Sequence, residues 1–344
     1  MTSTAYLRLA AVAAWVAFLA PLGCADPPVA DEEEAGGVRP VRPARVESEL
    51  TRGDTLPHHP SWTRQDYEIL AATVRWARRE GVDTLPMGER VARIGETFLG
   101  TPYVPQTLDP PGPERLVVNL RGMDCVTFVE SALALAHVVR MAPSDAFLDD
   151  AVDARAVRLY EDVLLSLRYR GGHADGYASR LHYFSEWIQD NQARGAVTDV
   201  TRELGGEPDP EPVTFMTRHV DAYRQLGDPT VLHAVAGIEA ALSSRPRYVI
   251  PQERVADVEA GIRTGDIIAA TSTLEGLDVA HTGIAVWRNG VLRLMHAPLV
   301  GEAVQLSEEA LAPRLLGLSR QDGLMVARPE ELTAPPRGLP DPGR

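Results

Sequence analysis

The stretch His281-Thr-Gly-Ile-Ala-Val-Trp-Arg-Asn-Gly-Val-Leu-Arg-Leu-Met-His296 decides how this chain folds. Asn289-Gly290 is the dipeptide of a two-residue type I′ hairpin turn, whose central residues both need positive φ, a conformation Asn and Gly adopt at least cost. With that turn, Arg288 faces Val291, so His281 faces Pro298 and His296 lies diagonally across from His281. Side chains alternate between the faces of a sheet, so both imidazoles project from one side, about 7–8 Å apart at the backbone and within side-chain reach. A three-residue turn would slip the register and separate them. Gly283 and Ala285 share the histidine face, and their small size predicts that a helix approaches there. Upstream, Asp266-Ile-Ile-Ala-Ala-Thr271 reads as a neighbouring strand.

Two imidazoles on one face call for a nucleophile, and cysteine is scarce enough to name it. The chain has two, Cys24 and Cys125. Residues 1–23 carry one charge, Arg8, and an apolar run from Leu9 to Leu22 too short to span a bilayer, which is the pattern of a signal peptide. Leu22-Gly23-Cys24 resembles a lipoprotein processing site, with Pro21 where Leu is usual. Cys24 is then the lipidation residue and Cys125 the single free thiol of the mature chain. An oxidising compartment penalises an unpaired thiol, so a lone survivor points to a buried small residue or to a nucleophile. Position favours the nucleophile. Val126, Val129, Leu133 and Ala136 continue from Cys125 at helical spacing, with Phe128, Ala132, Leu135 and Val139 as a second stripe. Asp124 is a good N-cap, so Cys125 falls in the first turn, where free N–H groups and the helix dipole favour a thiolate and could receive an oxyanion. Among the other histidines, His58 and His59 lie at a Pro-flanked entry, His137 at the far end of the cysteine helix, and His219 and His233 in a helical stretch. His281 therefore reads as base to Cys125, with His296 orienting its ring, as the third member of a triad does.

Composition narrows the partners. The 344 residues carry a formal charge of −14, which disfavours nucleic acid and anionic membrane surfaces. All 34 basic residues are Arg, so Schiff-base, P-loop and lysine-base chemistry are excluded. Residues 24–60 are rich in Pro, Arg and acids and read as a disordered tether, residues 61–332 as the catalytic domain, and 333–344 as a disordered tail. The expected fold class is α+β: the cysteine-bearing helix on a central antiparallel sheet, with additional helices.

Further motifs carry a family resemblance. Gly100-Thr-Pro-Tyr103, Met123-Asp-Cys-Val-Thr-Phe128, Gly265-Asp-Ile-Ile268, His281-Thr-Gly-Ile284 and Leu294-Met-His-Ala297 resemble the NlpC-type, papain-like cell-wall cysteine amidases. Leu116-Val-Val-Asn-Leu-Arg121, Ser179-Arg-Leu-His-Tyr-Phe-Ser-Glu-Trp187 and Tyr248-Val-Ile-Pro251 resemble the branch known as domain of unknown function 1460, over about Trp62 to Arg328. That resemblance implies an N-acetylmuramoyl-L-alanine amidase cutting the MurNAc to L-Ala link of anhydro-muropeptides, with Tyr103 and Asp124 beside Cys125 to position it or the oxyanion. Relatives that cut γ-D-Glu to diaminopimelate share the triad and are the alternative; an inactive wall-binding lipoprotein is another. Arg180 could hold a substrate carboxylate and Tyr183 and Trp187 offer flat surfaces to sugar rings, with His182 in the same run. Its other reading is an amphipathic helix with Leu181, Phe184 and Ile188 inward and a polar face lining the cleft. A zinc site built from Cys125, His281 and His296 lacks the usual ligand spacings. The chemistry calls for no metal and no organic cofactor. The partners are muropeptide or peptidoglycan fragments, with the membrane reached through the lipid anchor alone. The chain is expected to be an exported, periplasmic, membrane-anchored monomer.

Overall fold

A computed structural model describes residues 62–143, 145, 153–299, 303–332 and 336. The leader, Cys24, the tether and most of the C-terminal tail lie outside the described residues. Helices α1 (Arg64–Arg79), α2 (Met87–Glu96), α3 (Cys125–Met141), α4 (Ala154–Arg168) and α5 (Phe184–Ala193) come first. Strands β1 (Val197–Asp199) and β2 (Glu207–Pro208), the short helix α6 (Phe215–Arg218), helix α7 (Pro229–Ser243), strand β3 (Tyr248–Pro251) and the short helix α8 (Val255–Val258) follow. The chain closes with β4 (Ile267–Ser272), β5 (Val279–Arg288), β6 (Val291–His296), β7 (Gln305–Leu306), α9 (Leu311–Leu316) and β8 (Gln321–Pro329).

The strands form one antiparallel sheet in the order β2-β3-β8-β4-β5-β6-β7, with β1 also paired to β8. Helices and antiparallel sheet together make the expected α+β class. The hairpin has the register the sequence predicts: Arg288 pairs with Val291, and Asn289 and Gly290 both have positive φ, 53° and 77°. The β4–β5 register shifts beside His281, between Ala270 and Thr271. Such a bulge bends the strand and re-aims nearby side chains.

Two apolar layers sandwich the sheet. On one face Ile267, Ala269, Ile284, Val286 and Met295 pack with Phe128, Val129 and Leu133 of α3 and with α1, α2, α4 and α5. On the other, Ile268, Ala270, Ala285, Leu292 and Leu294 pack with Leu311 and Leu315 of α9 and with Val255 and Ile262. A smaller cluster joins Tyr177 and Tyr183 to Val213, Phe215 and α7. This corrects one expectation. Ala285 lies against the α9 layer, whereas the cysteine helix α3 packs on the opposite face, through Thr282, Ile284 and Val286. The smallness of Gly283 serves β6: a Cβ there would lie 2.7 Å from both Leu294 Cδ1 and the Met295 carbonyl oxygen.

Helix α3 begins where its sequence says it should. Asp124 accepts from Thr127 N–H at 2.8 Å while the Asp124 N–H donates to Thr127 Oγ1 at 2.9 Å, a capping box that places Cys125 at the first helical position. Most of α3 is buried, which its apolar circumference anticipates. Helix α7 starts at Pro229 with Asp228 as N-cap, where the break at Gly227-Asp-Pro229 puts it.

Because the Gly283 contact includes backbone, Gly283→Ala should destabilise the protein by about 1–3 kcal/mol through overpacking of the β5–β6 ladder. A urea midpoint unchanged from wild type would mean that the ladder is not as tight as described.

Candidate active site

Alternation along β5 brings two different groups to the N-terminus of α3. Thr282, on the α3 face, donates its hydroxyl to the carbonyl of Cys125 at 2.9 Å, fastening the first turn of the helix to the strand. His281, its neighbour, meets His296 from β6: Nε2 of His281 and Nδ1 of His296 are 2.7 Å apart, with the rings near perpendicular at 83°. His296 is wholly buried, and its Nε2 has no hydrogen-bond partner among the described residues. His281 and Cys125 are half-buried, so both can be reached from solvent. The bond to His296 occupies Nε2 of His281 and leaves Nδ1, the ring nitrogen nearer the backbone, without a hydrogen bond to any described residue. Sulfur and imidazole are not hydrogen-bonded to each other in this unliganded site. Catalytic contacts commonly tighten only once substrate binds.

Tyr103 completes the cluster. It bridges to Met123, and the flanking bonds Val104 N–H to Met123 carbonyl and Met123 N–H to Pro102 carbonyl, both 3.0 Å, hold it beside the Asp124-Cys125 step. Burial and the neighbouring Cys125 and Asp124 push its hydroxyl up to about 12, so it is a proton donor throughout the neutral range.

The electrostatics overturn one expectation. Burial, with the adjacent Asp124 carboxylate, pushes the Cys125 thiol up to about 11, against smaller opposing contributions from Thr282 and the Val126 N–H. Burial, with the Arg314 charge, lowers His281 to about 4. Burial, then the charges of His281 and Arg314, lower His296 as well. The resting pair is thus thiol and neutral imidazole, and not the thiolate that the helix terminus alone favours, because desolvation outweighs the helix dipole here.

The run Ser179 to Trp187 is a second correction. Helix α5 starts only at Phe184, after a 3₁₀ turn over Tyr177–Ser179. Leu181, Phe184 and Ile188 are buried as expected, and so are Arg180, Tyr183 and Trp187 of the residues read as a substrate-facing surface, whereas His182 is half-buried. Arg180 donates to the Leu108 carbonyl at 2.7 Å and to Asp109 at 2.6 Å, and its guanidinium lies 5.0 Å over the Tyr177 ring. It braces the loop after Tyr103. His182 Nε2 is 2.8 Å from the Tyr177 carbonyl, and burial lowers its ring to about 3. Tyr183 donates to Glu239 at 2.6 Å and accepts from Met216 N–H at 2.8 Å. Trp187 is stacked on Phe184 and donates to Glu130 at 3.3 Å, while Glu130 also pairs with Arg168 at 2.7 Å. All four side chains have hydrogen-bond partners inside the protein, with Arg180 Nε alone left to a 3.5 Å approach to Glu114. Sequence reading missed Thr282, Glu130 and Arg314, whose importance comes from neighbours remote in the chain. Thr282 alone had a local signal, as the residue opposite in face to His281.

Residues 93–316 match the family model described as AmiA-like, N-acetylmuramoyl-L-alanine amidase-like. The chain belongs to this family. Among solved structures, an N-acetylmuramoyl-L-alanine amidase from Bacteroides uniformis is 33% identical with a TM-score of 0.64, the match covering 71% of this chain and 99% of that one. A Bacteroides fragilis protein with a provisional xylanase name is also 33% identical, with a TM-score of 0.62 and coverage of 69% and 99%. Protein LPG0564 from Legionella pneumophila, assigned to domain of unknown function 1460, shares the fold at 20% identity, a TM-score of 0.54 and coverage of 78% and 96%. No curated protein matches the chain. The motifs Gly100 to Tyr103, Met123 to Phe128 and Leu294 to Ala297 of this chain lie inside the matched span.

Two outcomes follow from the titrations. Alkylation of Cys125 by iodoacetamide should be slower than that of free cysteine at pH 7 and still be accelerating at pH 10, because thiolate is scarce below about 11; an inflection below pH 8 would refute the neutral resting pair. His137, held near 4 by burial, His182 and His281 all bind protons less readily folded than at their ordinary 6.5. The unfolded chain therefore takes up more protons between 6.5 and about 4, so stability should be full above 6.5 and fall as pH drops through that window, as urea midpoints would register.

Proposed function

We propose that this protein is a thiol-dependent hydrolase of the amide bond between N-acetylmuramic acid and L-alanine in muropeptides. The observation that carries the reading is the 2.7 Å His281–His296 pair beside a helix-terminal cysteine, in a chain of an amidase-like family. A glycosidase is the other activity suggested among the relatives, and it needs two carboxyl groups flanking the bond. Asp124, the acid beside Cys125, is instead engaged as the cap of α3. The Cys/His/His set suits acyl transfer.

The steps use this chain's own groups. Cys125 Sγ attacks the lactyl carbonyl carbon while Nδ1 of His281 takes the thiol proton. With both partners neutral at rest, charge develops only as the S–C bond forms, which is general-base catalysis. The oxyanion is received by the Cys125 N–H at the start of α3 and by the Tyr103 hydroxyl. The imidazolium hands its proton to the departing amine of L-alanine, breaking the C–N bond and leaving a thioester. His281 then deprotonates a water that adds to the thioester, and the carboxylate leaves as the thiol is restored. His296 holds Nε2 of His281 through both proton transfers, so its role is orientation. The Ser179 to Trp187 run takes no part in these steps, since its polar side chains bond within the protein. The leader and Cys24 carry the remaining part of the proposal: export, with lipid attached to Cys24 and residues 24–60 as tether to the membrane.

Incubating the purified protein with a defined muropeptide should release a peptide beginning at L-alanine and a sugar gaining one water, identified by mass. Cleavage between the second and third stem residues would instead favour the endopeptidase. Cys125→Ala should keep the wild-type melting temperature and lose about 10³-fold or more in kcat/KM, and His281→Ala should lose more than His296→Ala. The reverse order would exchange the two histidine roles. Cys24→Ser should move the protein from the membrane fraction to the soluble one, and an unchanged distribution would sink the anchor.

A further inference from the structure

Buried guanidinium groups in this protein are paired. Arg168 meets Glu130 at 2.7 Å, Arg180 meets Asp109 at 2.6 Å, and Arg90 and Arg247 bond to Glu331 and Asp209 at 2.5 Å each. Arg314 departs from that rule. It is half-buried on α9, and its side chain makes no hydrogen bond and no ion pair with any described residue. Its neighbours Leu311, Ala312 and Leu315 pack in the same layer as Ala285 and Leu294, which seats α9 over the face of the sheet from which His281 and His296 project. The site therefore has a partly desolvated cation on the helix packed over that face, its charge reaching the two imidazoles, with no counter-charge in contact among the described residues. Desolvation lowers its own proton affinity against the single opposing pull of Glu309, and its charge is felt by both histidines. Its nitrogens are not among the enclosed, unpartnered atoms, so they reach solvent and are open to an anion brought by a ligand.

We propose that Arg314 is the specificity-determining residue that binds a carboxylate on the peptide half of the substrate. The inference rests on the amide-hydrolase reading above and deepens it. In an amide-linked muropeptide the lactyl carboxyl of the sugar is consumed in the bond to be cut. The free carboxylates therefore lie on the peptide side, the first of them on the second stem residue when the peptide extends beyond L-alanine. The planar guanidinium fork fits such a group with two parallel hydrogen bonds, a geometry an ammonium cannot reproduce. Binding there would also place a negative charge beside His281 and raise its proton affinity from the low resting value, improving it as a base at the moment substrate is bound.

The test uses two muropeptides identical except that the second stem residue carries either a free carboxyl or a primary carboxamide. Wild-type protein should prefer the carboxyl form by about 10-fold or more in kcat/KM, the range of a hydrogen bond to a charged group. Arg314→Gln should lose about 10–100-fold more in kcat/KM on that form than on the carboxamide form, and so abolish the preference, while the loss of its charge beside His281 shifts both forms alike. Arg314→Lys should fall between. Equal turnover of the two substrates by wild type, or equal losses on both in Arg314→Gln, would overturn the assignment. Should Arg314→Gln fail to fold, the wild-type preference and the Arg314→Lys variant still decide it. Failure of wild type to cut either substrate would count against the hydrolase reading itself, and is seen before any variant is made.

Discussion

Strand β5 serves both faces of the sheet at once, and the site depends on that alternation. Because successive side chains point to opposite sides, Thr282 is free to grip the Cys125 carbonyl at 2.9 Å while His281 turns to meet His296 at 2.7 Å. One backbone step separates the group that anchors the Cys125 helix from the group read as the base. The arrangement needs the hairpin register to hold, since a slip of one residue would carry His296 to the other face. The Asn289-Gly290 turn and the tight contact at Gly283 both oppose such a slip.

Desolvation is the second governing term. It drives thiol and imidazole in the same direction, toward their uncharged forms, and here it exceeds what the first turn of α3 supplies. A pair that rests neutral is protected from adventitious alkylation and oxidation, which attack thiolates. The half-buried Arg314 charge works in the same direction by depressing both histidines.

The same cost explains why a polar-looking run proved to be scaffold. Arg180, His182, Tyr183 and Trp187 look like a binding surface because their chemistry suits one. Arg180, Tyr183 and Trp187 are enclosed and His182 is half-buried, however, and an enclosed donor left without a partner would forfeit about 1–3 kcal/mol. Asp109, the Tyr177 carbonyl, Glu239 and Glu130 meet that need. Residue type indicates what a side chain could bind, whereas burial decides whether it remains available.

Local interactions were legible from the amino-acid sequence by itself. The type I′ turn, the diagonal placement of the two histidines and the capped start of α3 at Cys125 each depend on residues a few positions apart, so composition and spacing are enough to determine them. The α+β class follows from the same patterns. What only the tertiary structure decided depends on partners distant in the chain: the face on which α3 packs, the internal commitments of Arg180 to Trp187, the neutral resting state of Cys125 and His281, and an Arg314 with no ion pair among the described residues. The physical reason is that desolvation and pairing are properties of an enclosed volume, and no stretch of sequence specifies which remote groups will enclose it.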